Sequence, residues 1–339
     1  MKFDEVTHFI NTNDVRRGGA QRVLSQLLCG SSHVNHLEQY SIKSKVLVLT
    51  YQFSLLFIIL LLVKRPKVVI IHSRCFMPYL IVFKIFSVKT ILYTHAEYRK
   101  ARWLYKLFKS DQYIAVSNAV KESLKKEGVL SELITVISNP NFEVDEFLPS
   151  YNENITTRFA SVGSLNPWKG FIEASSHLAK YGKKQKKEVE YFIVGEGPQR
   201  KYLEQMSHKE SFLNVHCLGY SKSPFEVLQD APFIIIPSLE EGFGLIAIEA
   251  IYQNKIVIYS DIPALTEICK HDKLCFGFKS YSYKSFEKAV ENALQVFKNE
   301  DVENYREIRK TWVVDNYGLD KFLVNYRSYL SNNFGVHFN

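Results

Sequence analysis

The chain has 339 residues, more than one hydrophobic core usually supports, so the sequence predicts two domains. Hydrophobic residues make up 46% of the chain and charged residues 23%, which is typical of a globular protein and excludes a disordered one. The formal net charge of +8 favours an anionic partner: nucleic acid, an acidic membrane surface or a phosphorylated small molecule. The five cysteines are scattered without a CxxC pair and predict neither a disulfide framework nor a zinc site.

The first residues, MKFDEVTHFINTND, carry Asp4 and Glu5 where a signal peptide needs an apolar core. The sequence therefore predicts a cytoplasmic protein.

The nearly apolar segment 46–63 is shorter than a membrane-spanning helix needs and is interrupted by polar residues. We interpret it as a strand at 46–50 followed by a buried helix at about 52–63, with an integral membrane anchor as the alternative.

A second segment, YRKARWLYKLFK at 98–109, mixes aromatic and basic residues. It is compatible with a helix on an acidic bilayer surface and equally with an ordinary amphipathic helix whose apolar face packs inward. Both interpretations stay open at this stage.

Short apolar runs alternate with amphipathic stretches along the whole chain, which is the pattern of βαβ units and parallel sheets. There are six strand candidates in each half: THFINT, KVLVLT, KVVIIHS, KTILYTH, QYIAVS, ITVIS, then RFASVG, EYFIVG, NVHCLG, FIIIPS, KIVIYS and KLCFGF. A polar linker at about 141–157 separates the halves. The sequence predicts two Rossmann-like domains facing across a cleft, at 1–152 and 153–319, with a C-terminal helix at about 320–339 packing back on the first.

Ligands of open α/β sheets bind at the carboxyl ends of the strands, so the loops there are the candidate sites. After the first strand, Gly18 and Gly19 precede a helix with apolar residues at helical spacing. The amides of a glycine turn at a helix N-terminus suit a phosphate, although Gly-Gly before a helix is also a common plain turn.

In the second half, Lys169 follows RFASVG and is either a phosphate-binding cation or a solvated surface charge. The strand EYFIVG ends in Gly195 and Gly197, which resemble the start of a dinucleotide-binding fingerprint. Arg200 occupies the third glycine position of GxGxxG, and this disfavours a dehydrogenase.

The stretch EEGFGLIAIEA follows the strand FIIIPS and contains two carboxylates, Glu241 and Glu249. Gly242 and Gly244 allow a tight turn, and LIAIEAIYQ begins a helix. Glu241 precedes that helix and Glu249 lies inside it, so the two do not form a close acid/base pair. We expect them to address different parts of one elongated ligand, with phosphates at the helix amides and sugar or ribose hydroxyls at the carboxylates.

These motifs resemble the family 4 retaining glycosyltransferases, which have the GT-B fold. The resemblance spans most of the chain and rests on six stretches in order: RGGAQRVLSQLL, ILYTHAE, YIAVSNAVKESLKKEGV with ITVISNPNFEVDEF, FASVGSLNPWKGF, YFIVGEGP and PSLEEGFGLIAIEA. The E-x7-E pattern of Glu241 and Glu249 is the most specific of them.

The resemblance implies a role for each matched residue. Lys169 would bind the donor diphosphate, Glu249 the ribose hydroxyls, and Glu241 hydroxyls of the transferred sugar. His95, at the end of its strand, would contact the donor sugar, whereas without the family it would be interpreted as a structural histidine. The remaining donor contacts would come from Gly18 and Gly19, from the turn of Gly242, Phe243, Gly244 and Leu245, and from Gly195, Glu196 and Gly197 beside the base.

The chain departs from the family at Ser164, where members commonly carry an arginine. An arginine would supply a second cation for the diphosphate. Arg16, Arg17 or Arg200 could substitute for it, or the helix amides could suffice.

The resemblance implies transfer of a sugar from a nucleotide diphosphate sugar to a hydroxyl acceptor, with retention at the anomeric carbon. No DxD-like pair is evident, so we expect neither a metal nor another cofactor. A lipid-linked bacterial surface glycan at the inner face of the membrane, and not nucleic acid, is the expected acceptor partner. The alternative is a nucleotide-sugar-binding protein without transfer activity, in which Ser164 marks a decayed site.

Overall fold

The structure is a computed structural model that describes residues 6–10, 44–48, 66–97, 102–141 and 157–336. Each of the twelve predicted apolar runs coincides with a β-strand, and the strands form two six-stranded parallel sheets. The predicted α/β fold class is confirmed.

The chain divides into unit 1, residues 1–140 with 319–339, and unit 2, residues 141–318. The first boundary therefore follows residue 140, where the sequence analysis placed it after residue 152.

Unit 1 contains a parallel sheet with strand order β2-β1-β3-β4-β5-β6. Every residue of β3 is buried, as expected for a β-branched run in a parallel sheet that is covered on both faces. The strands are β1 Val6–Ile10, β2 Ser44–Val48, β3 Val68–Ile71, β4 Lys89–Thr94, β5 Gln112–Ala115 and β6 Ile134–Val136.

Three described helices follow strands of this sheet: α1 Tyr79–Ile85, α2 Leu104–Leu107 and α3 Asn118–Lys126. Helix α3 begins at a serine cap, because the Ser117 hydroxyl accepts a hydrogen bond from the Val120 amide at 3.1 Å. Its last turn carries Lys125 and Lys126, whose charges complement the negative end of the helix dipole.

The apolar segment 46–63 is described only at its start, where β2 agrees with the expected strand. The expected buried helix at 52–63 lies outside the described residues, as do residues 98–101 of the aromatic and basic segment. Within the described ranges, no helix combines the length and the apolar character that a membrane crossing requires.

Unit 2 contains the second parallel sheet, with strand order β12-β11-β10-β7-β8-β9. Its core includes the fully buried rings of Phe159, Phe171, Tyr191 and Phe233. The strands are β7 Arg158–Val162, β8 Val189–Val194, β9 Leu213–Gly219, β10 Phe233–Ile236, β11 Ile256–Ser260 and β12 Cys275–Phe278. The helices are α4 Phe171–Gln185, α5 Arg200–Lys209, α6 Pro224–Val227, α7 Leu245–Tyr252, α8 Pro263–Cys269, α9 Tyr283–Asn299 and α10 Arg306–Tyr317.

The last described helix, α11 Leu319–Phe334, belongs to unit 1 although it follows unit 2 in the chain. Its apolar side buries Phe322, Leu323, Tyr326 and Leu330. Just beyond it, the Gly335 carbonyl accepts a hydrogen bond from Lys67 Nζ at 3.2 Å. The C-terminal residues are thereby tied to the start of β3.

The strand order of unit 2 fixes where a ligand site can form. From β7 the chain adds β8 and β9 on one side of the sheet, and β10, β11 and β12 on the other. The direction of winding therefore reverses between β7 and β10. The loops that leave the carboxyl ends of these two strands diverge there, and such a crevice is the usual ligand site of an open α/β sheet.

Glycines let the loops at this edge approach each other closely. A Cβ atom on Gly195, at the end of β8, would lie 1.8 Å from the Gly163 carbonyl oxygen at the end of β7. The Gly195 amide also donates to the Gly219 carbonyl at 2.7 Å. The ends of three neighbouring strands are thus held together by backbone contacts that leave no room for a side chain.

We expect Gly195→Ala to destabilise the protein by about 3 kcal/mol, because the new methyl group must displace backbone atoms. Gly128→Ala is the matched control: Gly128 has a φ of +84°, but a Cβ there meets nothing within 4 Å. Backbone strain alone should cost the control about 1 kcal/mol. Urea unfolding of both variants measures the difference, and equal losses would contradict the steric explanation.

Candidate functional site

The loop after β7 carries Lys169 toward the loop after β10. The chain passes through a 3₁₀ turn at Pro167–Lys169 and leaves it at Gly170, which has a left-handed φ of +69°. A Cβ atom on Gly170 would lie 2.1 Å from the Pro237 carbonyl oxygen. The Leu239 amide donates to the Trp168 carbonyl at 2.8 Å. The two loops are therefore joined through their backbones on both sides of Lys169.

This arrangement brings Lys169 and Glu241 into direct contact. Lys169 Nζ donates to Glu241 Oε1 in an ion pair, and the Ser238 hydroxyl donates to the same oxygen at 2.9 Å. The side chains of Lys169 and Glu241 are 19% and 14% exposed, so the pair is largely desolvated yet reachable from solvent. One carboxylate oxygen thus balances the lysine charge while the other remains a possible acceptor.

Sequence reasoning assigned Lys169 and Glu241 to different parts of a ligand and did not predict their contact. It also missed Ser238, the last residue of the FIIIPS run. The only signal for Ser238 was its position, since it follows the end of β10 at the sheet edge where ligands bind.

Helix α7 begins directly after this ion pair. Gly244 precedes it with a left-handed φ of +104°, and a Cβ there would lie 2.6 Å from Leu265 Cδ2. The neighbouring Phe243 ring is buried and packs edge-on against Tyr317, with ring centroids 5.6 Å apart. The turn of Gly242, Phe243, Gly244 and Leu245 is therefore fixed by packing. It holds the positive end of the α7 dipole beside Lys169 and Glu241.

Glu249 lies in the middle of α7, within the buried stretch Ala247–Ile251, and is only 3% exposed. A carboxylate at this depth requires hydrogen-bond partners, because burying it without them is costly. Glu241 and Glu249 thus lie at different depths of the same element, one in the turn before the helix and the other inside it. The expectation that they address different parts of one ligand stays a prediction.

The loop after β8 lies beside the loop after β7 and is the third loop of the candidate site in unit 2. The Leu165 amide donates to the Glu196 carbonyl at 2.8 Å, and a Cβ on Gly197 would lie 2.7 Å from the Leu165 backbone. Gly195, Glu196 and Gly197 are therefore close to the β7 loop that carries Ser164 and Lys169. Ser164 itself is exposed, and its hydroxyl accepts a hydrogen bond from Asn166 Nδ2 at 3.0 Å.

Arg200 was one of three candidates to replace the family arginine that Ser164 lacks. In the structure its guanidinium pairs with Glu196 at 2.6 Å and Glu204 at 2.9 Å, and donates to the Cys217 carbonyl at 2.9 Å. The hydrogen bond with Glu204 and the charge of Glu196 raise the pKa of Arg200. Its charge is thus engaged at the ends of β8 and β9. Arg16 and Arg17, the other two candidates, lie outside the described residues.

The remaining predicted site residues come from the first half of the chain. Gly18 and Gly19 lie outside the described residues. His95 belongs to unit 1, where it follows β4 and contacts His72. Sequence reasoning missed His72 and its second neighbour, His8, because both fall inside runs interpreted only as strands. Among the described ranges, no group of three or more His, Cys, Asp or Glu residues is arranged to hold a metal ion.

Two family models match the chain in tandem. The model "Glycosyltransferase Family 4" matches residues 18–140, and the model "Glycosyl transferases group 1" matches residues 147–311. The first match ends at the boundary of unit 1, and the second covers the loops that carry Lys169, Glu241 and Glu249.

Two curated relatives illustrate the similarity. An uncharacterised glycosyltransferase of Methanocaldococcus jannaschii is 28% identical over 177 residues, covering 50% of this chain and 46% of the relative. The O-antigen chain mannosyltransferase RfbU of Salmonella typhimurium is 27% identical over 220 residues, covering 60% and 59%. The chain thus spans about half the length of the curated relatives that it matches.

Among solved structures, the chain is similar to Anabaena HepE, which was crystallised in complex with UDP. The TM-score is 0.76 at 15% identity, and the match covers 96% of this chain and 99% of HepE. A likeness at this identity concerns the fold. Together with the tandem family matches, it means that the chain belongs to the family 4-like glycosyltransferases and has the GT-B fold.

Proposed function

We propose that the protein transfers a sugar from a nucleotide diphosphate sugar to a hydroxyl group, with retention of the anomeric configuration. The observation that carries the proposal is the Lys169–Glu241 ion pair, which lies at the winding reversal of the unit 2 sheet and beside the N-terminus of α7. A cation and helix amides suit a diphosphate, and an adjacent carboxylate suits sugar hydroxyls.

Donor binding then amounts to an exchange of partners. The donor diphosphate replaces Glu241 as the partner of the Lys169 ammonium group, and the released carboxylate accepts hydrogen bonds from hydroxyls of the transferred sugar. The backbone amides of Phe243, Gly244 and Leu245, at the start of α7, share the diphosphate charge. Since this cationic environment is built from the chain itself, we expect transfer to proceed without a metal or another cofactor.

In the transfer step, the bond between the anomeric carbon and the diphosphate oxygen breaks, and its electron pair stays on the diphosphate. The acceptor oxygen attacks the oxocarbenium-like carbon from the same side, and its proton passes to the departing phosphate oxygen. Lys169 and the helix amides stabilise the charge that develops on the leaving group. We propose that His95 of unit 1 contacts the transferred sugar, and that Glu249 holds the ribose of the nucleotide.

Release of nucleoside diphosphate from a panel of UDP and GDP sugars tests this function, with hydroxyl acceptors added in turn. Donor-dependent release is expected, and proton NMR of the glycoside product reports the anomeric configuration. Binding of nucleotide sugars without turnover on any acceptor would instead indicate a binding protein without transfer activity. An inverted product would overturn retention.

We propose a surface glycan as the product. The O-antigen mannosyltransferase RfbU is one of the relatives that support this assignment. The acceptor in this proposal is a lipid-linked glycan at the cytoplasmic face of the membrane. Incubation with lipid-linked acceptors in detergent, followed by mass spectrometry, would detect the added sugar.

We predict that Lys169→Ala lowers kcat/KM for the donor by about tenfold to a hundredfold, because a charge-assisted contact is worth about 1.5–3 kcal/mol. Arg200→Ala is the matched control, since it also removes a cation, but one that is engaged by Glu196, Glu204 and the Cys217 carbonyl. Its effect should stay below threefold. Steady-state kinetics of both folded variants checks this. Equal losses of kcat/KM in the two variants would mean that the diphosphate does not bind at Lys169.

We predict that alanine substitutions at the two glutamates have different effects on the affinity for free nucleoside diphosphate. Glu249→Ala should weaken both the donor and the free diphosphate, because both contain the ribose. Glu241→Ala should lower kcat/KM for transfer and leave the affinity for free diphosphate nearly intact, because it orients only the sugar. Removing Glu241 also frees Lys169 from its ion pair, which works against any loss of affinity.

Calorimetric titration of both variants with UDP and GDP, beside their transfer kinetics, measures this separation. Equal losses of diphosphate affinity in the two variants would rule out the divided roles. If Glu241 instead serves only to stabilise the turn before α7, Glu241→Ala would cost about 1 kcal/mol of stability and little activity.

We also propose that membrane contact is peripheral and electrostatic. The net charge of +8 supports it, because a basic protein is attracted to an acidic membrane surface. We predict binding to vesicles of phosphatidylcholine with phosphatidylglycerol that weakens as salt rises and the Debye length falls below about 10 Å. Vesicle flotation at increasing salt measures it, and binding that ignores salt would indicate insertion instead.

A further inference from the structure

Three histidines of unit 1 form a continuous hydrogen-bonded row across neighbouring strands. His8 lies in β1, His72 directly follows β3, and His95 directly follows β4. His8 Nδ1 is 2.9 Å from His72 Nε2, and His72 Nδ1 is 2.8 Å from His95 Nε2. The central imidazole therefore uses both nitrogens inside the row.

Packing holds the three rings in this arrangement. The His8 and His72 rings are stacked with centroids 5.2 Å apart, and the His72 and His95 rings with centroids 5.1 Å apart. The Tyr93 ring stacks on His95 at 4.4 Å and lies 5.1 Å from His72. His8 and His72 are 2% and 4% exposed. The row is thus built into the folded core of unit 1.

The rings are neutral at physiological pH. Burial lowers the pKa of His8 to about 4 and that of His95 to about 3. The pKa of His72 is also well below its ordinary value, because of burial first and the neighbouring histidines second. A row of neutral imidazoles avoids placing charge in a desolvated environment.

Because the three rings are neutral, the positions of their N–H protons are constrained. A neutral imidazole has one N–H donor and one acceptor nitrogen, so each contact in the row needs a donor on one side only. Two arrangements satisfy both contacts, with all N–H groups directed from His8 toward His95 or all in the reverse direction. Any other arrangement places two lone pairs or two protons against each other. The proton position on one ring therefore determines the positions on the other two.

The row ends at His95 Nδ1. This atom is buried and has no hydrogen-bond partner among the described residues. In the first arrangement it carries a proton and donates, and in the second it accepts. The two states require opposite roles of a ligand hydroxyl, which accepts from the Nδ1–H group in the first arrangement and donates to Nδ1 in the second.

We propose that His8 and His72 are positioning residues that fix, through the row, whether His95 Nδ1 donates to or accepts from a hydroxyl group of the donor sugar. The identity of that hydroxyl rests on the proposed function. The coupling between the rings rests only on their geometry. The competing explanation is that His8 and His72 are core residues whose loss would affect stability alone.

Two substitutions at His8 separate these explanations. His8→Leu leaves His72 Nε2 without its partner, so His8 no longer contributes to the balance between the two proton arrangements. His8→Asn places an amide where Nδ1 stood and can keep the contact. Neither variant touches His95 directly, because His8 is two hydrogen bonds away from it.

Nitrogen-15 NMR of histidine-labelled protein reads the tautomers without ligand or activity. We expect the wild type to have three neutral rings with one shared direction. His8→Leu should change the ring-nitrogen shifts of His95, and His8→Asn should restore them. Unchanged His95 shifts in a folded His8→Leu variant, or opposed tautomers in the wild type, would overturn the coupling.

Transfer kinetics supply the second test. We expect His8→Leu to lower kcat/KM about fivefold, the size of one hydrogen bond, and His8→Asn to recover most of it. In a His95→Ala background, His8→Leu should have no further effect, since its action passes through His95. Additive losses would mean that His8 acts on the fold instead. If no donor is turned over at all, the proposed function fails, and the NMR result still decides the coupling.

Discussion

The contact between the β7 and β10 loops brings Lys169 and Glu241 together in unit 2. The Leu239–Trp168 hydrogen bond and the close approach of Gly170 to the Pro237 carbonyl fix the backbones on which Lys169 and Glu241 stand. Two long, charged side chains lose rotamer entropy when they pair, but their backbones are already held together by these contacts, so no further backbone ordering is needed. In the proposed donor complex, the diphosphate would replace the Glu241 carboxylate oxygen as the partner of Lys169.

Both units place their chemically active side chains by the same rule. In unit 2, Lys169 and Glu241 follow β7 and β10, the strands between which winding reverses. In unit 1, the order β2-β1-β3 reverses the winding between β1 and β3, and His8 lies in β1 while His72 directly follows β3. Parallel strands align their carboxyl ends, so residues far apart in sequence become neighbours at this edge. The ion pair joins residues 72 positions apart, and the first histidine contact joins residues 64 positions apart.

The fold was predictable because the signal for a buried parallel strand is local. FIIIPS and KVVIIHS each contain a continuous apolar run rich in β-branched residues, and each run forms a strand. The Lys169–Glu241 contact was not predictable, because it depends on which strands are neighbours, and β7 pairs with β10 rather than with β9. The histidine row was missed for the same reason. His8 and His72 each read as one polar residue in an apolar strand until the sheet order aligns them. Arg200 was a candidate cation because the sequence analysis did not use its four-residue spacing from Glu196 and Glu204, which is typical of ion pairs on a helix.

The Lys169–Glu241 ion pair and the histidine row accommodate buried polar side chains in different ways. In unit 2, charge is kept but paired, since Lys169 and Glu241 balance each other and remain partly exposed to exchange partners. In unit 1, charge is avoided, since burial keeps the imidazoles neutral while their contacts preserve a polar path. A lysine in place of His72 would carry a charge without a counter-ion, and an apolar residue would break the path. Among the side chains, only imidazole can accept a hydrogen bond at one ring nitrogen while donating from the other, so His72 can connect His8 to His95 without introducing charge.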